Sequence, residues 1–318
     1  MNLQTLCAEE LNAHLQARCQ ATGETELDVK DLVSNYTMDV IGACAMGIKC
    51  NAIQDPEHCT MKKVVKRMFR FNWRLSLFQF LEMANPRLPR LLGLSPRDKE
   101  VEAYLEEITK EAIRMKQQDT TGNRKDFLQL LMKYSEEEVI ASFLSAGLEP
   151  VSATVTFCAY ELAHHPEVQE KLFKEIQAVR KESGGEIKYD DLKRLHYLDQ
   201  VVNETLRKYP IAPILGRKCT EAFQVPDSKL PEKFDPERFS EENVNKIIPG
   251  SYLPFGDGPR FCIAMRLALM DVKTMIITLV SDYTLHTCPK TVKRIEIDRH
   301  LFTLAPKGQV RLRLKKRS

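Results

Sequence analysis

Over the first two-thirds of the chain, apolar residues recur at helical spacing. Leu3, Leu6, Cys7, Leu11 and Leu15 fall on one stripe, and Gly23 follows as a stop signal. Val33, Tyr36, Val40, Ile41 and Cys44 form a second stripe ended by Gly47. Ser95-Pro96 opens a third, with a cap and a first-turn proline ahead of Val101, Tyr104, Leu105, Ile108, Ala112 and Met115. Ser135 with Glu138 reads as a capping box for a helix running towards Gly147. Pro166 starts another, with Leu172, Ile176 and Val179 facing inward. Asp190 caps the next, which carries Leu195, Leu198, Val201, Val202 and Leu206 and stops at Tyr209-Pro210. The pattern predicts a mainly α chain.

From Pro210 to Pro259 the helical period is lost and prolines accumulate. A nearly all-apolar helix follows Cys262, with Leu267, Leu269, Met270, Val272, Met275, Ile276 and Leu279, and apolar residues on every side predict burial. The C-terminus alternates like a strand, Val310, Leu312 and Leu314 between Arg311 and Arg313. The segment from Phe69 to Leu94 is dense in Phe, Trp, Leu and Arg and is broken by Pro86 and Pro89. It reads either as a core element or as an exposed apolar surface that meets substrate or membrane.

Composition narrows the function classes. The chain has 318 residues, 43% apolar and 29% charged, enough to bury a sizeable core. A net charge of +3 points to neither nucleic acid nor a membrane surface. The one basic cluster, Arg311, Arg313, Lys315, Lys316 and Arg317, reads as a solvated terminus or a docking patch. No apolar run approaches the ~20 residues that cross a bilayer, and the acidic, amphipathic start reads as neither signal peptide nor anchor. Nine cysteines, several within helical apolar stripes and none in zinc-binding spacing, fit a reducing compartment.

The candidate chemistry lies in Phe255-Gly256-Asp257-Gly258-Pro259-Arg260-Phe261-Cys262-Ile263-Ala264. The glycines can take positive φ and let the backbone approach a flat macrocycle. A cysteine opening a helix places its sulfur near free N–H groups, where a thiolate is stabilised. Arg260 is a permanent cation suited to a carboxylate, and Phe255 can shield the sulfur from water. The alternative is a glycine-rich turn before a helix with an incidental buried cysteine.

This loop resembles the haem-binding signature of the cytochromes P-450, F-x-x-G-x-R-x-C-x-G, with Phe255, Gly258, Arg260 and Cys262 matching and Ala264 in place of the last glycine. Glu204-Thr205-Leu206-Arg207 looks like the family's E-x-x-R motif, and Phe234-Asp235-Pro236-Glu237-Arg238-Phe239 like its P-E-R-F motif. Asp39-Val40-Ile41-Gly42, Gly47-Ile48-Lys49-Cys50-Asn51 and Tyr160-Glu161-Leu162-Ala163 resemble insect microsomal members, especially insect family 6.

The resemblance implies a mainly α cytochrome P-450 fold, a helical bundle around haem with small β-sheets, spanning 1–318 as one domain. It implies haem b (iron protoporphyrin IX) with Cys262 as thiolate axial ligand and metal ligand. Arg260 and Arg217 would meet the haem propionates, and Glu204, Arg207 and Arg238 would hold the scaffold behind the loop. It also implies oxidation of hydrophobic small molecules with dioxygen. Electrons would come from an NADPH-cytochrome P-450 reductase, with cytochrome b5 as a further donor, at the endoplasmic reticulum membrane.

The departures matter as much. Members read A-G-x-[DE]-T on the oxygen side, whereas this chain reads Ala146-Gly147-Leu148-Glu149-Pro150. Glu149 keeps the acid that helps deliver protons, but proline has neither hydroxyl nor N–H, leaving Ser152, Thr154 or water to substitute. Members also carry an anchor and several helices ahead of the point matching Met1, additional structure between Val225 and Phe234, and about one more turn before Ala146. The fold is therefore expected to be incomplete at the N-terminus. Three readings follow: a monooxygenase, a haem-thiolate isomerase or dehydratase acting on peroxides, and a haem-free inactive relic.

Overall fold

The structure is a computed structural model describing residues 2–20, 22–68, 77–78, 81, 85, 88–92, 100–101, 103–104, 107, 110, 114, 137–213, 233–298 and 303–317. At 45–46, 65–68, 90 and 137–145 it describes the backbone alone.

Helix α1 (Asn2–Cys19) buries Cys7, Leu11 and Leu15, whereas Leu6 is 54% exposed and lies off the stripe to which its spacing assigns it. Gly23 takes φ +71° and returns its N–H to Cys19 O at 2.8 Å, closing the helix. Strand β1 (Glu24–Asp28) leads into α2 (Val29–Ile41). The Asp28 carboxylate accepts from Lys30 N at 3.1 Å as the helix cap and from Val310 N at 3.0 Å, so one side chain fixes both the helix start and the C-terminal strand. A π-helical turn (Gly42–Met46) follows and stops at Gly47, φ +68°. Helices α3 (Thr60–Met68) and α4 (Leu88–Leu91) come next.

Helix α5 (Glu137–His164) continues through Gly147 and Pro150, although both residue types locally disfavour a helix interior. Burial explains the continuity. Val151, Val155, Phe157, Cys158 and Leu162 are all buried, and tertiary packing outweighs local breaking tendencies. Gly147 serves close approach instead, since a Cβ there would lie 2.7 Å from Ile41 Cδ1. Next come α6 (Pro166–Glu182), a 3₁₀ turn (Tyr189–Arg194) and α7 (His196–Lys208). Asp190 does not cap α7. Asp191 accepts from Lys188 N at 2.9 Å at the start of the 3₁₀ turn, while Asp190 pairs with Lys193 in solvent.

Helix α8 (Met265–Asp282) is buried over Val272, Met275, Ile276, Leu279 and Val280, but Leu267 near its start is 36% exposed, so burial on all sides holds only for its later turns. Strands β2 (Tyr283–His286) and β3 (Arg311–Lys316) complete an antiparallel sheet of order β1-β3-β2. Leu27 pairs with Leu312 and Leu285 with Leu314, all four buried in the core. The alternation at Leu312 and Leu314 is this central strand, with Val310 just before it. Of the segment from Phe69 to Leu94, Leu91 and Leu92 are 78% and 60% exposed, while Phe71 and Trp73 lie outside the described residues, as do Ser95-Pro96 and Ser135.

Gln169 locks helices to sheet. It is 1% exposed, its amide donates to Leu162 O and Leu285 O, both at 3.0 Å, and its oxygen accepts from Leu285 N at 2.8 Å. Gln169→Leu keeps the bulk and orphans these backbone groups, at about 1–3 kcal/mol for each group left unpaired. Urea denaturation is expected to show a loss of at least that size, with no change in helix content by circular dichroism.

Candidate functional site

The cysteine loop is closed by its own backbone. Cys262 N–H donates to Phe255 O at 2.8 Å, Gly256 N–H to Leu253 O at 3.1 Å and Phe261 N–H to Gly258 O at 3.1 Å. Asp257 Oδ1 accepts from Gly258 N at 2.7 Å. Gly256 and Gly258 take φ +74° and +69°, the left-handed turns that this tight path requires. Cys262 is half-buried, and no described residue hydrogen-bonds its sulfur. It precedes α8, whose first residue is Met265 and whose cap is Ala264, so the cysteine does not itself open the helix.

Behind the loop, the structure brings Glu204, Arg207 and Arg238 together. Glu204 is fully buried and accepts from Arg207 Nε at 2.6 Å, Arg207 Nη2 at 2.8 Å and Asp235 N at 2.9 Å. Arg238 Nε lies 3.4 Å from Glu204 Oε2 but is too poorly aligned for a hydrogen bond, so that contact is ionic only. The neighbouring Asn203 receives the Tyr252 hydroxyl at 3.0 Å on both its backbone and its side-chain oxygen. Tyr252 lies three residues before Phe255, and this links α7 to the cysteine loop.

Cys262, Arg260 and Phe255 line a cleft of about 390 Å³ between the loop, α5 and α8. Gly147, Pro150 and Thr154 form the α5 wall, and Thr303 adds a hydroxyl. A cleft of this size is in the range that encloses small organic ligands. Its donor set fits haem: one thiol free of protein partners, one exposed guanidinium and otherwise mostly apolar walls suit a flat apolar macrocycle with carboxylates at its edge.

Glu149 is not among the residues lining this cleft. Burial raises its carboxyl above the usual value, Lys30 opposes that shift and Asp298 adds to it. Ser152 is buried away from the cleft, and its carbonyl accepts from Thr156 Oγ1 at 2.7 Å. Thr154 Oγ1 donates to Pro150 O at 2.8 Å. Arg217 lies outside the described residues.

The family model described as Cytochrome P450 matches residues 1–231 and 229–312. This chain belongs to the cytochrome P450 family. The two matched stretches meet inside the segment, Val225 to Phe234, where the sequence reads as shortened. Probable cytochrome P450 6a13 of Drosophila melanogaster is 35% identical over 91% of this chain and 66% of its own length. Cytochrome P450 6j1 of Blattella germanica is 33% identical over 98% of the chain and 68% of its own length. Cytochrome P450 6a2 of Drosophila melanogaster is 31% identical, with coverages of 91% and 66%. The chain thus spans about two-thirds of the length of these curated relatives. The helices with their small antiparallel sheet are the mainly α P-450 fold, and the family's cofactor is haem ligated by a cysteine thiolate.

Two cleft residues escape motif reading. Thr303 sits in irregular chain with no periodicity to flag it. Asp271 had a signal, a lone acid within the apolar run of α8. For the scaffold, Glu204→Ala removes the counter-charge of two guanidiniums and orphans Asp235 N–H. Breaking such a buried pair costs about 3–5 kcal/mol, and chemical denaturation is expected to show a loss of that order.

Proposed function

We propose that this chain is the catalytic part of a haem-thiolate monooxygenase, one P-450 domain over 1–318, that oxidises hydrophobic small molecules such as xenobiotics, hormones or lipids. The observation carrying this reading is Cys262, half-buried and free of protein partners, on the wall of an apolar cleft that faces α5. Haem bound through the Cys262 sulfur supplies the activation of dioxygen. The chain's own residues do the rest. The Cys262–Phe255 backbone bond holds the sulfur in place, and Phe255 shields it. Arg260 offers a cation to a propionate at the rim, and Arg217 is proposed for the same service. The apolar walls exclude water and hold an apolar substrate.

Proton delivery is the altered step. Pro150 presents neither hydroxyl nor N–H to the cleft. Glu149, with its carboxyl raised by burial, is proposed as a proton source acting through a relay, because it is not on the cleft wall itself. On α5, Thr154 carries the hydroxyl on the cleft wall. Its proton is held by Pro150 O, which leaves its lone pairs to accept from a water.

Electrons come, on this reading, from an NADPH-cytochrome P-450 reductase, with cytochrome b5 as a second donor. The site of action is the endoplasmic reticulum membrane. Among the described residues no helix is long and apolar enough to cross a membrane.

Two observations favour other readings. Pro150 suits an isomerase or dehydratase acting on peroxides, which needs no protons for oxygen activation. The shortened stretch between Val225 and Phe234, where the two matched segments meet, suits a haem-free relic. The carbon monoxide difference spectrum of the reduced chain, expressed with added haem, separates these. The proposal expects a red-shifted Soret band, lost in Cys262→Ala, and absence of haem would make the chain a relic. NADPH-linked oxygen consumption then distinguishes oxygenase from isomerase. Restoring a hydroxyl with Pro150→Thr is expected to raise that consumption about tenfold or more, whereas an isomerase shows no such gain.

A further inference from the structure

Asp271 is the one acid on the cleft wall among the described residues, and it sits on α8, nine residues beyond Cys262. It is 2% exposed, and Gln4 of α1, 1% exposed, donates a short hydrogen bond from Nε2 to Asp271 Oδ1. Gln4 Oε1 is buried with no partner. The groups that face Asp271 are Cys7 of α1, Tyr36 of α2, whose buried hydroxyl is also unpartnered, and Cys44 of the π-helical turn. Arg260 and Cys262 share the cleft. Among the described residues no lysine or arginine forms an ion pair with Asp271.

An ionised carboxylate has only acceptors, so beside Gln4 it leaves one amide oxygen without a donor. A protonated carboxyl has one donor and one acceptor, the complement of a primary amide. We propose that Asp271 and Gln4 form a reciprocal acid–amide pair, with Asp271 donating its proton to Gln4 Oε1, and that this pair holds α1 on α8, the helix that follows the cysteine loop. Asp271 is on this view a positioning residue, and the inference stands independently of the haem reading.

Burial pushes the Asp271 carboxyl up to about 7, against the Gln4 hydrogen bond, which lowers it. The same burial pushes the Cys7 and Cys44 thiols up to about 12 and about 11, which leaves them neutral neighbours. The folded protein therefore keeps a proton that the unfolded chain releases above its ordinary value of 3.8. The stability that the pair contributes is full below about pH 4, falls as pH rises to about 7 and is flat beyond.

The test is urea denaturation of the full chain between about pH 4 and pH 8, wild type against Asp271→Asn. Asparagine supplies both donor and acceptor to Gln4 and does not titrate. The wild-type folding equilibrium, divided by that of the variant, is expected to fall by up to about tenfold per pH unit across the window. A ratio that is independent of pH, or that rises with pH, overturns the proposal. Titration of ¹³C-labelled aspartate carboxyls by NMR in the wild-type chain gives a readout that needs no variant. One aspartate titrating near about pH 7 is expected, and all of them titrating below about pH 5 overturns it.

Discussion

The fully buried carboxylate of Glu204 is the point on which the cysteine side of the molecule depends. It takes two hydrogen bonds from Arg207, one from the Asp235 backbone and the charge of Arg238, and so ties α7 to the Pro236–Phe239 turn. A buried charge with its partners in place specifies an arrangement because any alternative leaves one of them unpaired. From that anchor, Tyr252 reaches back to Asn203. The chain then enters a loop whose own backbone bond, Cys262 to Phe255, sets the position of the sulfur. The geometry of the cysteine is thus inherited from a charge cluster that never touches the cleft.

The opposite wall is made by different means. Helix α5 continues through a proline because the residues after Pro150 are buried, so that packing holds a helix which the local sequence argues against. The same proline lines the cleft and presents no hydroxyl to it. The structural tolerance and the chemical departure come from one residue.

Much of this was legible in the sequence because it depends on short-range rules. The stripes of α1, α2, α6 and α7, the glycine stops at Gly23 and Gly47, the alternating β3 and the signature around Cys262 all follow from periodicity or local turn chemistry. The Glu204–Arg207 pair is legible too, since three-residue spacing on a helix brings the side chains together. Arg238, more than thirty residues further on, could be joined to them only through the family resemblance. Strands β1 and β2 were not legible. They are short, and each is made by its pairing with β3, a partner distant in sequence.

The sequence by itself determined the helical class, the cysteine and its loop, and the replacement of a hydroxyl by Pro150. Each is a property of residue type at close spacing. Only the tertiary structure decided that Glu149 lies off the cleft wall and that Asp271 lies on it, with Gln4 as its partner. Those facts depend on which face of each helix is turned towards which neighbour. That is settled by the burial of the whole core and not by any local run of residues.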